Sequence, residues 1–237
     1  MIITPITKDF VYIFNLRKAI NLMYDLSSKF VTFYNSYVVL SQKNQDELYK
    51  KNLNVQRLKD GLIEYNEEKG TSYAIVDSCV QGSLATSTIV QNENSDYDID
   101  VVLVFEEKVL DGLGAQATRN MVANAIARKT KQFNANPEVK TSCVRIKYAD
   151  GYHIDFAVYR RNYDDAKDCW VYEHAGTEWS ERELKELTEW FQSQNNDSEG
   201  KLRKVIRLSK MFCKSRDSWK KMLSGLVQMV LCDEKLQ

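Results

Sequence analysis

The sequence predicts an α+β fold, on three observations. Helical periodicity fills the chain before residue 70, strand-like runs cluster between residues 73 and 159, and helical periodicity returns after residue 180. At 237 residues the chain fits one large domain or two small, intimate ones.

Residues 28–69 hold no proline and one glycine. Apolar residues recur at Phe30, Phe33, Tyr34 and Tyr37, then at Leu48, Val55, Leu58, Leu62 and Tyr65, spacings of three, four and seven that mean helix. One long helix, or two with a break near residues 41–44, therefore ends at Gly70, a residue suited to the left-handed backbone of a C-terminal cap. The polar cluster at 64–68 is read as its solvated face. Residues 73–80 read as a short strand, followed by Gly82-Ser83 and a polar turn or short helix to Gln91; residues 92–96 are a loop. The run Asp98-Ile99-Asp100-Val101-Val102-Leu103-Val104-Phe105 is a buried strand. Residues 114–133 are Ala-rich and helical. Residues 139–148 and 152–159 are predicted as strands joined by a turn at 149–151, whose Asp-Gly pair makes the two antiparallel. Three helices are predicted over 181–193, 199–216 and 218–232, with a loop and N-cap signal at 195–198.

Composition narrows the function. With 33 Lys+Arg against 33 Asp+Glu the net charge is zero, which argues against non-specific nucleic-acid binding through a basic surface. A 43% apolar, 28% charged composition is that of a soluble globular protein, and no membrane partner is expected because no run nears ~18 apolar residues. The N-terminus lacks a basic segment followed by a clean apolar run, so a signal peptide is not expected. Five scattered cysteines without a C-x-x-C and two histidines suggest neither a disulfide framework nor a zinc centre, and a reducing cytoplasm is the expected location.

The chemistry is carried by carboxylates in strands. Asp98 and Asp100 open the most apolar run of the chain, and residues two apart on a strand share a face. Asp155 sits in a second strand between Ile154 and Phe156, which point the other way. A lone D-x-D is ordinarily a surface feature, but three carboxylates within apolar strands cost several kcal/mol each unless a cation neutralises them. Mg²⁺, with Mn²⁺ as a substitute, fits an all-oxygen donor set, and two such ions about 3.5–4 Å apart are the clamp of nucleotidyl transfer. Asp96 is also two residues from Asp98, so the pair could be Asp96/Asp98; Asp98/Asp100 is favoured because Asp100 directly precedes the apolar run. Gly82-Ser83 is ordinary as a dipeptide; its position after a strand and before Asp98 makes it a candidate phosphate contact, through close backbone approach and a hydroxyl donor. In residues 202–216, Leu202, Val205, Ile206, Ser209, Phe212 and Cys213 form an apolar helix face. Arg203, Arg207, Lys210 and Lys214 form a stripe beside it, either a solvated flank or a wall facing phosphates, with Lys210 nearest the apolar border.

The string Gly82-Ser83, then Asp98-Ile99-Asp100, a strand, and His153-Ile154-Asp155 resembles the DNA polymerase β-like nucleotidyltransferases. The stretches NVQRLKDGLIEYNEEKGTSYAIVDSCVQGSLATSTIVQ, GTEWSERELKELTEWF and LRKVIRLSKMFCKSR resemble those of the bacterial CD-NTases, relatives of cyclic GMP-AMP synthase and oligoadenylate synthase, over roughly residues 27–232. The resemblance implies the polymerase β-like fold, a small mixed sheet with a long N-terminal helix and a C-terminal helical lobe. It divides the chain into an N-terminal extension, 1–26, a catalytic core, 27–178, and a helical lobe, 179–237. Family members continue with more helix where this chain stops at Gln237, so the lobe is read as incomplete. The resemblance also implies a metal-binding catalytic triad at Asp98, Asp100 and Asp155, triphosphate contacts at Gly82 and Ser83, and donor-triphosphate ligands at Lys210 and Ser224. The implied activity is synthesis of cyclic di- or trinucleotides from nucleoside triphosphates, ATP among them, with two Mg²⁺ ions, for a downstream effector in anti-phage signalling and under a regulatory protein partner. The rival readings are nucleotidyl transfer to an RNA or protein acceptor, and an inactive nucleotide-binding module.

Overall fold

The computed structural model describes residues 26–50, 53–91, 97–131, 136–148, 151–216, 218 and 222–236. The expected loop at 92–96, with Asp96, and most of the expected extension, 1–25, lie outside these residues. The chain divides into two compact units, before and after the Val39–Leu40 bond. In the first, helix α1 (Ser27–Phe33) runs into a wider π-turn over Tyr34–Val38, with Phe33 stacked on Tyr37.

The second unit holds the sheet. Helices α2 (Gln42–Lys50) and α3 (Leu53–Lys69) lead into strand β1 (Ile75–Gln81) and a single helical turn, α4 (Gly82–Ala85). Strand β2 (Asp98–Glu106), helices α5 (Glu107–Leu110) and α6 (Ala115–Lys129), and strands β3 (Glu138–Val139), β4 (Val144–Lys147), β5 (His153–Asp164), β6 (Cys169–Ala175) and β7 (Trp179–Glu181) follow. Helices α7 (Glu186–Asp197), α8 (Lys201–Lys214) and α9 (Gly225–Leu236) close the described chain. The sheet runs β1-β2-β5-β4-β3, with β6 on the far part of β5 and β7 on β6; among the described strands only β2 and β5 pair in parallel.

Side-chain alternation sorts the two central strands. Ile99, Val101, Leu103 and Phe105 of β2, with Ile154, Phe156 and Val158 of β5, enter the main core with Leu58 and Leu62 of α3 and Val122 and Ile126 of α6. Gly61 lets α3 and α6 close on each other, since a Cβ there would sit 2.0 Å from the Ala125 carbonyl oxygen. The acidic face of α3 is not simply solvated: Glu64 pairs with Lys129 and Glu68 with Arg128, pinning α3 to α6 at their rims. The other sheet face carries Asp98, Asp100, Val102 and Val104, with Val102 and Val104 packed against Tyr159 and Leu184.

Several expected boundaries move. The single strand over 139–148 is two strands, because the Lys140 N–H bonds the Cys143 carbonyl and folds the polar Thr141-Ser142 pair into a tight turn. β5 runs on to Asp164, because its second half pairs with β6. The sequence predicts no strand over residues 169–175 or 179–181, and the latter, whose last residue opens a predicted helix, pair with β6 instead. The helix expected over 218–232 starts at Gly225. The signal at 195–198 does cap: the Leu202 N–H donates to the Ser198 hydroxyl and the Arg203 N–H to Asn195 Oδ1.

Candidate active site

The register of β2 on β5 builds the site. Asp100 lies opposite Asp155 and Asp98 opposite His153, so two parallel strands deliver three carboxylates to one end of one sheet face. Gly82 presses on this group from the end of β1. Its φ is +64°, and a Cβ there would stand 2.1 Å from Asp100 Oδ2. Only glycine meets both demands, the left-handed backbone and the close approach.

The three carboxylates have different surroundings. Asp98 is 59% exposed, whereas Asp155 is 14% exposed. Burial, and then the charges of Asp98 and Asp155, push the Asp100 carboxyl up to about 6. Asp155 goes the other way. Burial would raise it, but Arg145 outweighs this by donating from Nε to Oδ1 and from Nη2 to Oδ2, both at 2.6 Å. Arg145 Nη2 also reaches Asp98 Oδ1 at 3.2 Å, and the His153 ring stands against that same oxygen.

Ser83, Thr88, Asp98 and Lys210 line one cleft of about 350 Å³, together with Ile89, Val90, Tyr97, Lys214 and Gly225. Lys210 crosses from α8 to this wall and donates from Nζ to the Thr88 hydroxyl at 2.9 Å and to the Thr88 carbonyl at 3.2 Å. Burial, then the charges of Lys214 and Arg207, push its ammonium down to about 8, against the pull of Asp100. The basic stripe is thus no solvated flank: Arg203 donates to the Thr86 carbonyl at 3.1 Å and Lys214 lines the cleft. The apolar face beside it is only half used, since Leu202 and Ile206 are buried while Val205 and Phe212 are exposed.

Of the expected site residues, the structure sets Asp98, Asp100 and Asp155 at neighbouring register positions of β2 and β5, with Gly82 against Asp100, and places Ser83, Asp98 and Lys210 along one cleft. Ser224 is not in the cleft wall; it precedes the wall residue Gly225 and caps α9, its hydroxyl accepting the Val227 N–H at 3.3 Å. Two residues escaped the sequence reading. Arg145 was legible as a cation alternating with Val144 and Ile146, which puts it on the carboxylate side of an antiparallel neighbour of Asp155. Thr88 carried no signal beyond its place in a Thr-Ser-Thr run.

Among the described residues, no three carboxylate, imidazole or thiol side chains stand together as they would around a metal ion. The donor chemistry nonetheless suits a hard divalent cation. Asp98 is open, Asp100 is a strained carboxylate that a cation would relieve, and both supply oxygen.

A mixed sheet whose paired strands hold acidic residues beside a glycine turn is the arrangement of the polymerase β-like fold. Residues 76–159 match the family described as cyclic GMP-AMP synthase DncV-like, nucleotidyltransferase domain. The fold is similar to that of the Vibrio cholerae DncV cyclic AMP-GMP synthase, a prokaryotic cGAS homolog, at a TM-score of 0.65 and 17% identity over 84% of this chain and 68% of that one. It is also similar to Escherichia coli MS115-1 CdnC in its complex with HORMA-deltaN, at 0.63 and 15% over 88% of this chain and 64% of that one. DncV with the linear intermediate 5′ pppA(3′,5′)pG gives 0.65 and 17%, again over 84% and 68%. The chain thus spans about two thirds of these structures' length, and at such identities the likeness is one of fold. No described helix is long and apolar enough to cross a membrane.

Proposed function

We propose that this protein joins nucleoside triphosphates into a cyclic di- or trinucleotide. The observation that carries the reading is the β2/β5 register, which sets Asp100 opposite Asp155 with Gly82 against Asp100, beside a cleft lined by Asp98, Ser83 and Lys210. The similar DncV is a cyclic AMP-GMP synthase seen with a linear dinucleotide, and CdnC has been seen with ATP, which supports ATP as one substrate. Asp98, Asp100 and Asp155 would hold Mg²⁺ or Mn²⁺, two ions in this reading, which when bound supplies Lewis acidity at the reacting phosphate. Asp155 would orient the acceptor hydroxyl or take its proton. Gly82 lets the phosphate chain approach the backbone, Ser83 donates to it, and Lys210 and Ser224 hold the triphosphate tail. Ile89, Val90 and Tyr97 give the cleft an apolar wall for a base.

The CdnC complex with HORMA-deltaN supports a regulatory protein partner here too, and product release to an effector in cytoplasmic anti-phage defence completes the reading. Incubation with labelled nucleoside triphosphate pairs and Mg²⁺ or Mn²⁺, then phosphatase and chromatography, tests it. A phosphatase-resistant nucleotide is expected. Label on RNA or on the protein itself would replace the reading with acceptor transfer, and absence of any product, with and without a HORMA-type partner, would leave a binding module.

A further inference from the structure

The lysine of the cleft and the glycine turn are tied together by two buried hydroxyls. Lys210 Nζ donates to Thr88 Oγ1 at 2.9 Å, Thr88 Oγ1 lies 3.0 Å from Thr86 Oγ1, and Thr86 Oγ1 donates to the Gly82 carbonyl at 3.0 Å. The proton order admits one solution. A carbonyl only accepts, so the Thr86 proton goes to Gly82; Thr88 must then donate to Thr86, which leaves the Thr88 lone pairs for the ammonium, a group that only donates. The four groups form one directed chain. Thr88 is 0% exposed and Thr86 2%, so water does not compete for the two hydroxyls. The backbone braces the same path, since the Thr88 N–H donates to the Ser83 carbonyl at 2.8 Å.

A threonine bonding the carbonyl four residues back is ordinary by itself. Thr88 is not ordinary, because it lies outside any helix and takes a cation from a helix far along the chain. A half-buried lysine on a flexible four-carbon stem loses substantial rotamer freedom when held in place, and it stays there only if something fixes it. Two of its three protons go to Thr88, and the third remains for a ligand in the cleft.

We propose that Thr88 is a positioning residue for Lys210, and that Thr86 is the second link, so that the lysine and the Gly82-Ser83 turn are held as one rigid phosphate-binding frame. This rests on the reading of Lys210 as a triphosphate ligand, and it adds what sets the distance between that ligand and the glycine turn.

The test uses Thr88→Val, which keeps the branched shape and removes the hydroxyl, and Thr88→Ser, which keeps the hydroxyl. The first readout is the titration of Lys210 followed by NMR at its Cε. An oxygen acceptor favours the charged form, so Thr88→Val titrates at lower pH than wild type and Thr88→Ser at the same pH. An unchanged midpoint in Thr88→Val overturns the relay, whatever Lys210 binds. The second readout is calorimetric titration with ATP and Mg²⁺. Thr88→Val is expected to bind about 5- to 10-fold more weakly, with Thr88→Ser within about twofold of wild type. In a Lys210→Ala background Thr88→Val should add no further loss. An equal loss in both backgrounds would make Thr88 a purely structural residue and overturn the proposal. If Lys210→Ala alone leaves ATP affinity unchanged, the reading of Lys210 as a phosphate ligand fails, while the first readout still decides the relay. Should Thr88→Val not fold, Thr86→Val, one link further from the lysine, is expected to shift both readouts in the same direction by less, and no shift there would overturn it.

Discussion

The strand ends and the C-terminal helices of this molecule place charge by different means. Asp98, Asp100 and Asp155 are set by backbone register: once β2 pairs with β5, their side chains have one place to go, above a core in which Ile99, Val101 and Phe156 are nearly inaccessible to water. Lys210 sits on a helix with exposed Val205 and Phe212 and reaches the cleft through a long side chain and the borrowed acceptors of Thr88, while Ser224 caps a helix with exposed Leu226 and Val227. The first region keeps its geometry through backbone pairing at a cost in repulsion; the second holds its cation through side-chain contacts, at a cost in desolvation. Substitutions at the strand ends should therefore change chemistry and stability in opposite directions, and substitutions on the helices should change affinity with little effect on the fold.

The largest expected effect breaks the first half of this contrast. Asp100→Asn should reduce turnover to background while raising the melting temperature of the metal-free protein. The folded carboxyl titrates near 6 against an ordinary 3.8, so between those values the folded chain holds a proton that the unfolded chain has released. Stability from this group falls as pH rises through that window, and the deficit is complete above it. Removing the charge should return up to about 3 kcal/mol at pH 7. Urea unfolding of both proteins at pH 5 and pH 7 measures it: the gain from Asp100→Asn should shrink at the lower pH. A variant less stable than wild type at pH 7 would show that Asp100 is not repelled.

Arg145→Met should do the reverse. It strips the bidentate partner from Asp155, and about 3 kcal/mol of stability should be lost at neutral pH. Arg145 holds Asp155 below the usual carboxylate range, so the pair's contribution is present above the unfolded carboxyl value and fades as acid protonates Asp155. The variant's deficit should therefore narrow at low pH, and added Mn²⁺ should restore more stability to the variant than to wild type. Equal stabilisation of the two by Mn²⁺ would mean that Arg145 and the cation do not compete for Asp155.

The binding of Mg²⁺ with ATP spans both regions. A ligand at 100 times its Kd stabilises by about 2.7 kcal/mol, so the pair should raise the melting temperature clearly. Neither alone should match it, because the carboxylates need the cation and the cations need the phosphates. An equal shift from ATP in EDTA would separate the two regions again.

The same contrast explains what was legible in the sequence. The carboxylate pair could be read because strand alternation is a property of the chain itself, and Asp98 and Asp100 stand out against an apolar run. The α+β order and the sheet's central strands follow from the same periodicity. Strands β6 and β7 did not, since β6 mixes Cys169, Trp170, Tyr172, Glu173 and His174 and is a strand only because β5 extends far enough to pair with it. Arg145 needed the antiparallel register of β4 on β5 before it could be put over Asp155. Lys210 was picked out by its place on a helix border, but its partner Thr88 could not be, because nothing in the local sequence brings residues 88 and 210 together.

Ser224 gives the smallest and finest test. Its hydroxyl oxygen accepts the Val227 N–H as an N-cap, which uses a lone pair and leaves the O–H proton able to donate. Both roles, cap and phosphate ligand, are therefore compatible in one residue, and a single truncation cannot tell them apart. Ser224→Ala removes both and should cost about 1 kcal/mol of stability with a loss in ATP affinity of a few fold. Ser224→Asn keeps a side-chain oxygen that caps equally well but displaces the donor. If Ser224 touches the triphosphate, Ser224→Asn should unfold like wild type yet bind ATP as weakly as Ser224→Ala. If it only starts α9, Ser224→Asn should match wild type in both measurements, and the hold on the triphosphate would then rest with Ser83 and Lys210. Because α9 also sets Gly225 against the Lys210 stem, at 3.6 Å from a Cβ built there to Cε, a loss confined to Ser224→Ala would place the effect in the helix start rather than in the hydroxyl.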